Sequence, residues 1–242
     1  MKYIYCLASP GVLRAALPRG LGGTQVHLIA CRSISALVSD MAAAHLVDNV
    51  SNALVHQAVV QAAVQHFPAV MPCRFGTLLA DEAQILALIH QHYTACESEL
   101  ARLRNKLEVG VQVIFRGSKV ETEPALETAG LTAGTQYLLT KRRQSEASKT
   151  LRATAEDFAQ ACNIATTPLW TEVKAQQRRL EQGLLLSLCY LVPRDQVSAF
   201  RHAYEQLSRV SLQRALLYTG PWPPYSFTAI DLSPGGGKRC AS

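Results

Sequence analysis

The first forty residues contain three short hydrophobic runs, each with the composition of a β-strand. Residues 3–8 combine tyrosine, isoleucine and leucine, and the run ends before Pro10. Residues 25–30 and 34–38 are two further runs of this kind, and they follow a loop that contains Pro18 and three glycines. The pattern therefore predicts three strands at the start of the chain.

The spacing of the hydrophobic positions then changes to that of a helix. Between residues 48 and 67, apolar side chains recur at every fourth position, and glutamines recur at the same interval on another face. This pattern predicts one amphipathic helix, which Pro68 ends. A second, longer helix is predicted over residues 81–107, because Asp81 and Gln84 resemble a capping box and an apolar stripe follows them.

From residue 109 onwards, strand-like and helix-like patterns alternate. Strands are predicted at residues 109–115, 169–174, 184–192 and 213–218, and helices at residues 137–163 and 193–210. Residues 184–192 are almost wholly apolar, as expected of a central strand that is covered on both faces. The resulting order, βαββαβ, is that of the split-βαβ or ferredoxin-like fold.

The pattern thus predicts an α+β protein of two domains. We expect an N-terminal α+β domain at residues 1–107 and a C-terminal ferredoxin-like domain at residues 108–232. The glycine-rich end of the chain, residues 233–242, is predicted to be a disordered tail.

Residues 220–227 hold three prolines and three aromatic side chains, namely Trp222, Tyr225 and Phe227. Three prolines fix φ and remove three backbone donors, so the sequence excludes a helix or a central strand and predicts a stiff, extended segment. Such a backbone can present large apolar side chains at little entropic cost. Two functions stay open: the segment closes over its own domain as a lid, or it offers an aromatic surface to a partner.

Charge and cysteine content indicate which partners and which cellular compartment to expect. The formal net charge of +6 hints at an anionic partner, but only 17% of the residues are charged and no dense basic run occurs. Residues 109–115 do not match an RNA-binding motif, so no nucleic acid is expected as a partner. The seven cysteines include no CxxC pair, which indicates a reducing compartment. No apolar stretch is long enough to span a bilayer, so we expect a cytoplasmic protein with no membrane partner.

The sequence offers no catalytic constellation, and the common nucleotide-binding and hydrolase motifs are absent. His90 and His92 are two residues apart on a predicted helix and point to different faces, which argues against a shared metal ion. The other histidines, His56 among them, are isolated and are interpreted as surface or capped core residues. Cys73 is interpreted as a buried structural thiol. We therefore expect no enzyme activity, no catalytic residue, no metal and no cofactor.

Five segments, in order along the chain, resemble motifs of the gas vesicle protein L/F family. They are residues 72–77 (PCRFGT), 106–113 (KLEVGVQV), 134–139 (GTQYLL), 190–192 (YLV) and 220–227 (GPWPPYSF). Val109 stands where an aromatic residue is common in the family. The resemblance spans nearly the whole chain, and it does not distinguish an L member from an F member.

The resemblance implies a two-domain α+β protein whose C-terminal domain is a modified ferredoxin fold with extra helices. It also implies a non-enzymatic accessory or minor structural component of gas vesicles, the protein-shelled, gas-filled buoyancy organelles of prokaryotic cells. The expected partners are the small hydrophobic shell protein and other gas vesicle accessory proteins, and self-association is left open. The expected location is the cytoplasm and the gas vesicle.

Two of these motifs supply the predicted partner-binding or structural residues. They are Arg74, Phe75, Gly76, Trp222, Pro223, Pro224, Tyr225 and Phe227. We expect a sheet edge to pair with the shell protein by β-augmentation while aromatic side chains cover its apolar face.

Arg74 has two interpretations, as a partner contact or as an internal hydrogen-bond hub that closes the two domains. The hub is preferred, because an arginine between Cys73 and Phe75 is expected to be partly buried and would need partners. The alternative function for the whole chain is a ferredoxin-like regulatory domain that binds a small ligand or nucleic acid.

Overall fold

The computed structural model describes residues 1–12, 16–41, 49–116, 132–181, 183–210 and 215–228. The predicted tail at residues 233–242 lies outside them. The chain forms two units, which are described separately below. The first unit is Met1–Glu108 together with the C-terminal segment that begins at Pro221, and the second unit is Val109–Gly220. The sequence-based division assigned this C-terminal segment to the second domain, whereas its contacts group it with the first unit.

The first unit contains a five-stranded sheet whose described ladders are antiparallel. Its strands are β1 (Lys2–Ala8), β2 (Val26–Cys31), β3 (Ile34–Asp40), β4 (Val70–Pro72) and β5 (Leu78–Leu79). The strand order is β2-β3-β1-β4, and β5 also pairs with β1. The three strands predicted from the hydrophobic runs are confirmed. Strand β1 pairs with β3, β4 and β5, and every residue from Tyr3 to Ala8 is buried.

Among the described residues of this unit, three α-helices accompany the sheet: α1 (Val50–His66), α2 (Glu82–Gln91) and α3 (Tyr93–Leu103). The prediction of one long second helix is wrong, because the backbone of His92 leaves the helical region, with φ −108° and ψ 15°. The predicted capping box is present, since the Asp81 carboxylate accepts a hydrogen bond from the Gln84 backbone N–H at 2.9 Å.

Helix α1 packs on the aromatic side chains of β1. Val59, Val60 and Ala63 are fully buried in the same core cluster as Tyr3 and Tyr5. The register between β1 and β3 shifts at Tyr5, because Ile4 pairs with Val38 and Cys6 with the preceding residue. Tyr3 and Tyr5 already share one face of the strand, because they are two residues apart, and the extra residue brings Cys6 and Ala8 to that same face, which packs in the α1 core.

In the described part of the second unit, the strands and α-helices follow the order βαββαβ, as the sequence predicted. They are β6 (Lys106–Arg116), α4 (Ala133–Thr166), β7 (Glu172–Leu180), β8 (Gly183–Pro193), α5 (Val197–Val210) and β9 (Ala215–Trp222). The sheet order is β7-β8-β6-β9, and β7 and β8 are antiparallel. The name ferredoxin-like for this half stays a prediction.

The core of the second unit lies on one face of its sheet. Val111, Val113 and Phe115 of β6 pack there with Phe158 of α4 and Phe200 of α5. The expectation that β8 is covered on both faces is wrong for most of the strand, because buried residues alternate with half-buried ones from Gly183 to Tyr190. It holds only near the end of the strand, where Tyr190, Leu191 and Val192 are all buried. A one-sided sheet follows from helices that cover a single face.

Strand β7 lies further along the chain than predicted. The alternation at residues 169–174 suggested a strand there, but the strand runs over Glu172–Leu180. Most of it is polar and exposed, so it carries no hydrophobic signal. It forms because nine of its residues pair in register with the strongly apolar β8.

Candidate functional site

The first of the two predicted motifs, residues 72–77, forms a turn that is tied to β1 at both ends. The Cys73 N–H donates to the Tyr5 carbonyl at 3.0 Å, and the Thr77 carbonyl accepts from the Ile4 N–H at 3.0 Å. Within the turn, the Thr77 hydroxyl donates to the Arg74 carbonyl at 2.8 Å. The motif is therefore a hydrogen-bonded connection between β4 and β5.

Gly76 is required by the backbone of this turn. Its φ is +90°, a region that residues with a Cβ rarely adopt, and a Cβ at this position would meet no atom within 4 Å. Its N–H donates to the Tyr3 hydroxyl at 3.1 Å. The glycine thus serves conformation rather than close packing.

The expected partial burial of Arg74 is wrong, and its role as a hub between the two domains stays a prediction. Cys73 is buried, but Arg74 is exposed, and its carbonyl rather than its guanidinium contributes to the turn. The side chain leaves the core because its neighbour Cys73 occupies the inward position. A partner contact through Arg74 stays a prediction.

The second motif, residues 220–227, is extended only in its first part. Pro221 and Trp222 end β9, which lies at one end of its sheet order and tolerates a proline there. Tyr225–Phe227 then form a short 3₁₀ helix, which the sequence did not predict. Phe227 is 1% exposed, so the segment is anchored in the first unit by a fully buried ring.

Polar contacts fix the same segment to the first unit. Both carboxylate oxygens of Glu108 accept hydrogen bonds from Ser226, one from the backbone N–H at 2.7 Å and one from the hydroxyl at 2.6 Å. The Arg102 guanidinium donates to the Phe227 carbonyl at 2.6 Å and forms an ion pair with the buried Glu99. These three charged side chains were not predicted from the sequence. The Arg102–Glu99 spacing of three residues on a helix was the available signal.

His56 lies where the two motifs meet, in a group of rings that we name the His56 cluster: Tyr3, Tyr5, His56, Phe75 and Tyr225. The Nδ1 atom of His56 is 2.8 Å from the Tyr3 hydroxyl. The ring centroids of Phe75 and Tyr225 lie 5.9 Å and 6.4 Å from that of His56. The two segments that the sequence singled out therefore share one aromatic cluster in the first unit.

Burial sets the charge state of this cluster. Desolvation lowers the pKa of His56 to about 4, although the Cys73 backbone works in the opposite direction. Desolvation raises the pKa of Tyr3 and of Tyr225 well above their ordinary values. The cluster is thus electrically neutral at pH 7, and it packs as an apolar unit with internal hydrogen bonds.

A family model described as "Gas vesicle synthesis protein GvpL/GvpF" matches residues 1–229. The chain belongs to the GvpL/GvpF family. Gas vesicle protein F2 of Halobacterium salinarum is 25% identical over 213 residues, which cover 87% of this chain and 83% of the relative. Gas vesicle protein L1 of the same organism is 22% identical over 252 residues, covering 93% and 89%.

The fold is similar to that of a solved GvpF. The crystal structure of GvpF from Anabaena sp. PCC7120 superposes with a TM-score of 0.78 at 20% sequence identity, covering 95% of this chain and 96% of that one. Membership of the GvpL/GvpF family supports a role in gas vesicle assembly. It favours that role over the alternative of a regulatory domain for a small ligand or nucleic acid.

The part of this GvpL/GvpF chain that faces solvent near the cluster is aromatic. Trp222 and Tyr225 are each 38% exposed, while Pro223 and Pro224 between them are buried. The segment therefore packs on the first unit through Phe227 and exposes the rings of Trp222 and Tyr225, while an aromatic contact with a partner stays a prediction.

The remaining chemical candidates do not assemble into a site in the described ranges. No group of three or more His, Cys, Asp or Glu side chains that could hold a metal ion occurs among the residues the structure describes. His90 instead lies beside the buried Cys31, with Nε2 and Sγ 3.6 Å apart. Among the described helices, none is both long and apolar enough to cross a bilayer.

Proposed function

We propose that this GvpL/GvpF member acts in gas vesicle assembly by binding the small hydrophobic shell protein and other accessory proteins. The observation that carries the proposal is the exposed pair Trp222 and Tyr225 on an anchored segment. A hydrophobic shell subunit needs apolar surface covered before it joins a growing wall. Two aromatic rings on a pre-ordered backbone can cover such surface without the entropic penalty of ordering a loop.

Rigidity distinguishes this aromatic pair from scattered exposed side chains. Phe227 is buried, Pro223 and Pro224 are buried, and Ser226 is held by two hydrogen bonds to Glu108. The conformation that a partner meets is therefore the conformation already present. Tyrosine and tryptophan are also the residues most enriched where binding energy concentrates in protein interfaces.

Strand β7 offers a second means of contact with the shell protein, by β-augmentation. It lies at one end of the strand order of its sheet, and its side chains from Lys174 to Arg179 are exposed. Charged side chains on an edge strand commonly oppose pairing with another chain, however, and Arg178 and Arg179 are of this kind. The aromatic pair is therefore the stronger candidate for the primary contact.

A co-purification experiment tests the proposal. The full chain is co-expressed with a tagged gas vesicle shell protein, as wild type and as the Trp222→Ala/Tyr225→Ala variant. The matched control is Val50→Ala/Leu54→Ala, which removes apolar side chains that are 76% and 60% exposed on α1 of the same unit. Circular dichroism verifies that all three proteins are folded.

We expect the aromatic variant to retain at most about a tenth of the shell protein that the wild type retains, since two central aromatic contacts are removed. The control is expected to retain the wild-type amount. Equal retention by a folded aromatic variant would show that the contact lies elsewhere.

A further inference from the structure

Helix α4 is longer than the part of it that packs in the core of the second unit. Its 34 residues correspond to about 51 Å of helix. The C-terminal half packs on the sheet of the second unit through Leu151, Ala155, Phe158 and Cys162. From residue 134 to residue 147, every described side chain is exposed. Half of the helix therefore extends beyond its own core.

The face of α4 that continues this buried stripe lines a cleft. Successive steps of three and four residues lead from Ala155 back through Arg152, Ser148 and Ser145 to Lys141. The cleft has a volume of about 320 Å³, and its lining is Lys141, Gln144, Ser145, Ser148, Lys149, Arg152 and Arg179. Arg179, near the end of β7, supplies the opposite side. The face of α4 that is buried at Ala155 is thus polar from Arg152 back to Lys141.

The side chains that line the cleft include positively charged groups and no negatively charged group. Four of its lining residues are lysine or arginine, and none is a carboxylate. The nearby acidic residue Glu146 is engaged elsewhere, because it forms an ion pair with Arg142 at 3.0 Å. Four like charges around one concave surface reinforce one another's potential and favour an anionic occupant.

Exposed apolar side chains extend the same helix face toward its N-terminus. Tyr137 and Leu138 precede Lys141 by four and three residues, and they are 60% and 67% exposed. The Lys141 ammonium lies 5.8 Å from the centre of the Tyr137 ring. The surface therefore presents cations followed by an apolar patch along one helix.

We propose that this cleft, with the adjoining Tyr137 and Leu138, binds an acidic amphipathic segment of a partner protein. Carboxylates of the segment meet Lys141, Lys149, Arg152 and Arg179, while its apolar side chains pack on Tyr137 and Leu138. A protein segment fits better than nucleic acid, because an aliphatic leucine contributes nothing to phosphate binding and one tyrosine is not a series of stacking platforms. The proposal is independent of the aromatic pair in the first unit.

Fluorescence anisotropy with designed probes tests this assignment on the full chain. One labelled peptide alternates paired glutamates with leucine and serine, and a second of equal length and charge replaces each leucine with serine. A single-stranded DNA of matched charge is the third probe. The protein variants are Lys149→Glu/Arg152→Glu in the cleft, Arg142→Glu/Arg143→Glu as a control with the same change of net charge, and Tyr137→Ser/Leu138→Ser.

We expect the leucine-containing peptide to bind tightest to the wild type. The cleft variant should weaken it about tenfold or more, and the control should weaken it less than about threefold. The Tyr137→Ser/Leu138→Ser variant should remove the preference for leucine over serine. These helix positions are exposed, so unchanged circular dichroism is expected for every variant.

Three results would overturn the proposal. An equal loss of affinity for the leucine-containing peptide in the cleft variant and in the charge-matched control would mean that only the net charge of the protein determines binding. Tighter binding of the DNA than of either peptide would assign the cleft to nucleic acid. No binding of the leucine-containing peptide at moderate ionic strength would leave the cleft without the proposed ligand class. None of these results bears on co-purification with the shell protein, so the two proposals fail separately.

Discussion

Glu108 and Ser226 lie 118 residues apart in sequence, yet they share two hydrogen bonds of 2.7 Å and 2.6 Å. Glu108 is 8% exposed, and its carboxylate accepts from both the backbone N–H and the hydroxyl of the serine. This pairing holds the C-terminal aromatic segment in the first unit. The contact is charge-assisted, which makes it stronger than a bond between neutral groups.

Removing the Glu108 carboxylate should loosen this segment. We expect Glu108→Ala to lower the free energy of unfolding by about 2–3 kcal/mol, because a charged acceptor is lost and the Ser226 N–H loses its partner. Ser226→Ala keeps the backbone bond and should cost about 1 kcal/mol. Urea denaturation measures both values. The control Glu205→Ala breaks an exposed ion pair with Arg201 and should cost less than about 0.5 kcal/mol; a Glu108→Ala value no larger than this would contradict the clamp.

The buried His56 should make stability depend on pH. Its pKa is about 4 in the folded chain, against 6.5 as the ordinary value, so between these limits the unfolded chain binds a proton that the folded chain does not. Stability is then fully present above pH 6.5 and falls as the pH is lowered toward 4. From pH 6.5 to pH 5 the loss attributable to His56 is about 2 kcal/mol.

Urea denaturation at pH 7 and pH 5, for the wild type and for His56→Gln, isolates this contribution. The residues that face His56 are Tyr3, Tyr5, Phe75, Tyr225 and the backbone of Cys73, and none of them titrates in this range. We expect the pH-dependent loss to be about 2 kcal/mol smaller in the variant. An identical loss in both proteins would mean that His56 is not the titrating group.

Gly76→Ala should destabilise the chain through its backbone alone. An alanine at φ +90° is strained, and we expect a cost of about 1–2 kcal/mol. Gly134→Ala is the matched control, because Gly134 lies in the first turn of α4 with room for a Cβ, and it should not destabilise. Thermal denaturation compares the two, and similar melting temperatures for both variants would argue against strain at Gly76.

Substitutions of Phe227 and of Trp222, two residues of one motif, should affect stability and binding differently. Phe227→Ala empties a fully buried site and is expected to cost about 3–5 kcal/mol. Trp222→Ala removes a side chain that is 38% exposed and should cost about 1 kcal/mol or less, while weakening retention of the shell protein. Chemical denaturation and co-purification measure the two effects, and equal losses of stability would refute this division of roles.

Hydrophobic spacing predicted the elements that bury a regular stripe. Strands β1 to β3, helix α1 and the βαββαβ order of the second half all follow from it. The bounds of strand β7 were not predicted because the strand is polar, and its strand conformation depends on pairing with β8. The break between α2 and α3 at His92 was not predicted because the apolar stripe continues through it. Tertiary pairing and local backbone geometry leave no periodic signal.

The candidate site could be predicted as two motifs but not as one cluster. Proline and aromatic content singled out residues 220–227, and the resemblance singled out residues 72–77. Nothing in the spacing joined either segment to His56, which appeared as an isolated histidine. Their convergence depends on the fold of the first unit, and Arg74 was misjudged because its exposure depends on a turn that is local to that unit.

The C-terminal segment completes a unit that otherwise ends at Glu108. During synthesis, the second unit is available to fold before the first can acquire Phe227 and the Ser226 clamp, because these residues are made more than a hundred residues later. A chain whose synthesis has not reached residue 225 therefore carries Tyr3, Tyr5, His56 and Phe75 without Tyr225, the fifth ring of the His56 cluster. Synthesis of residues 221–227 is what completes the cluster and forms the ordered aromatic surface.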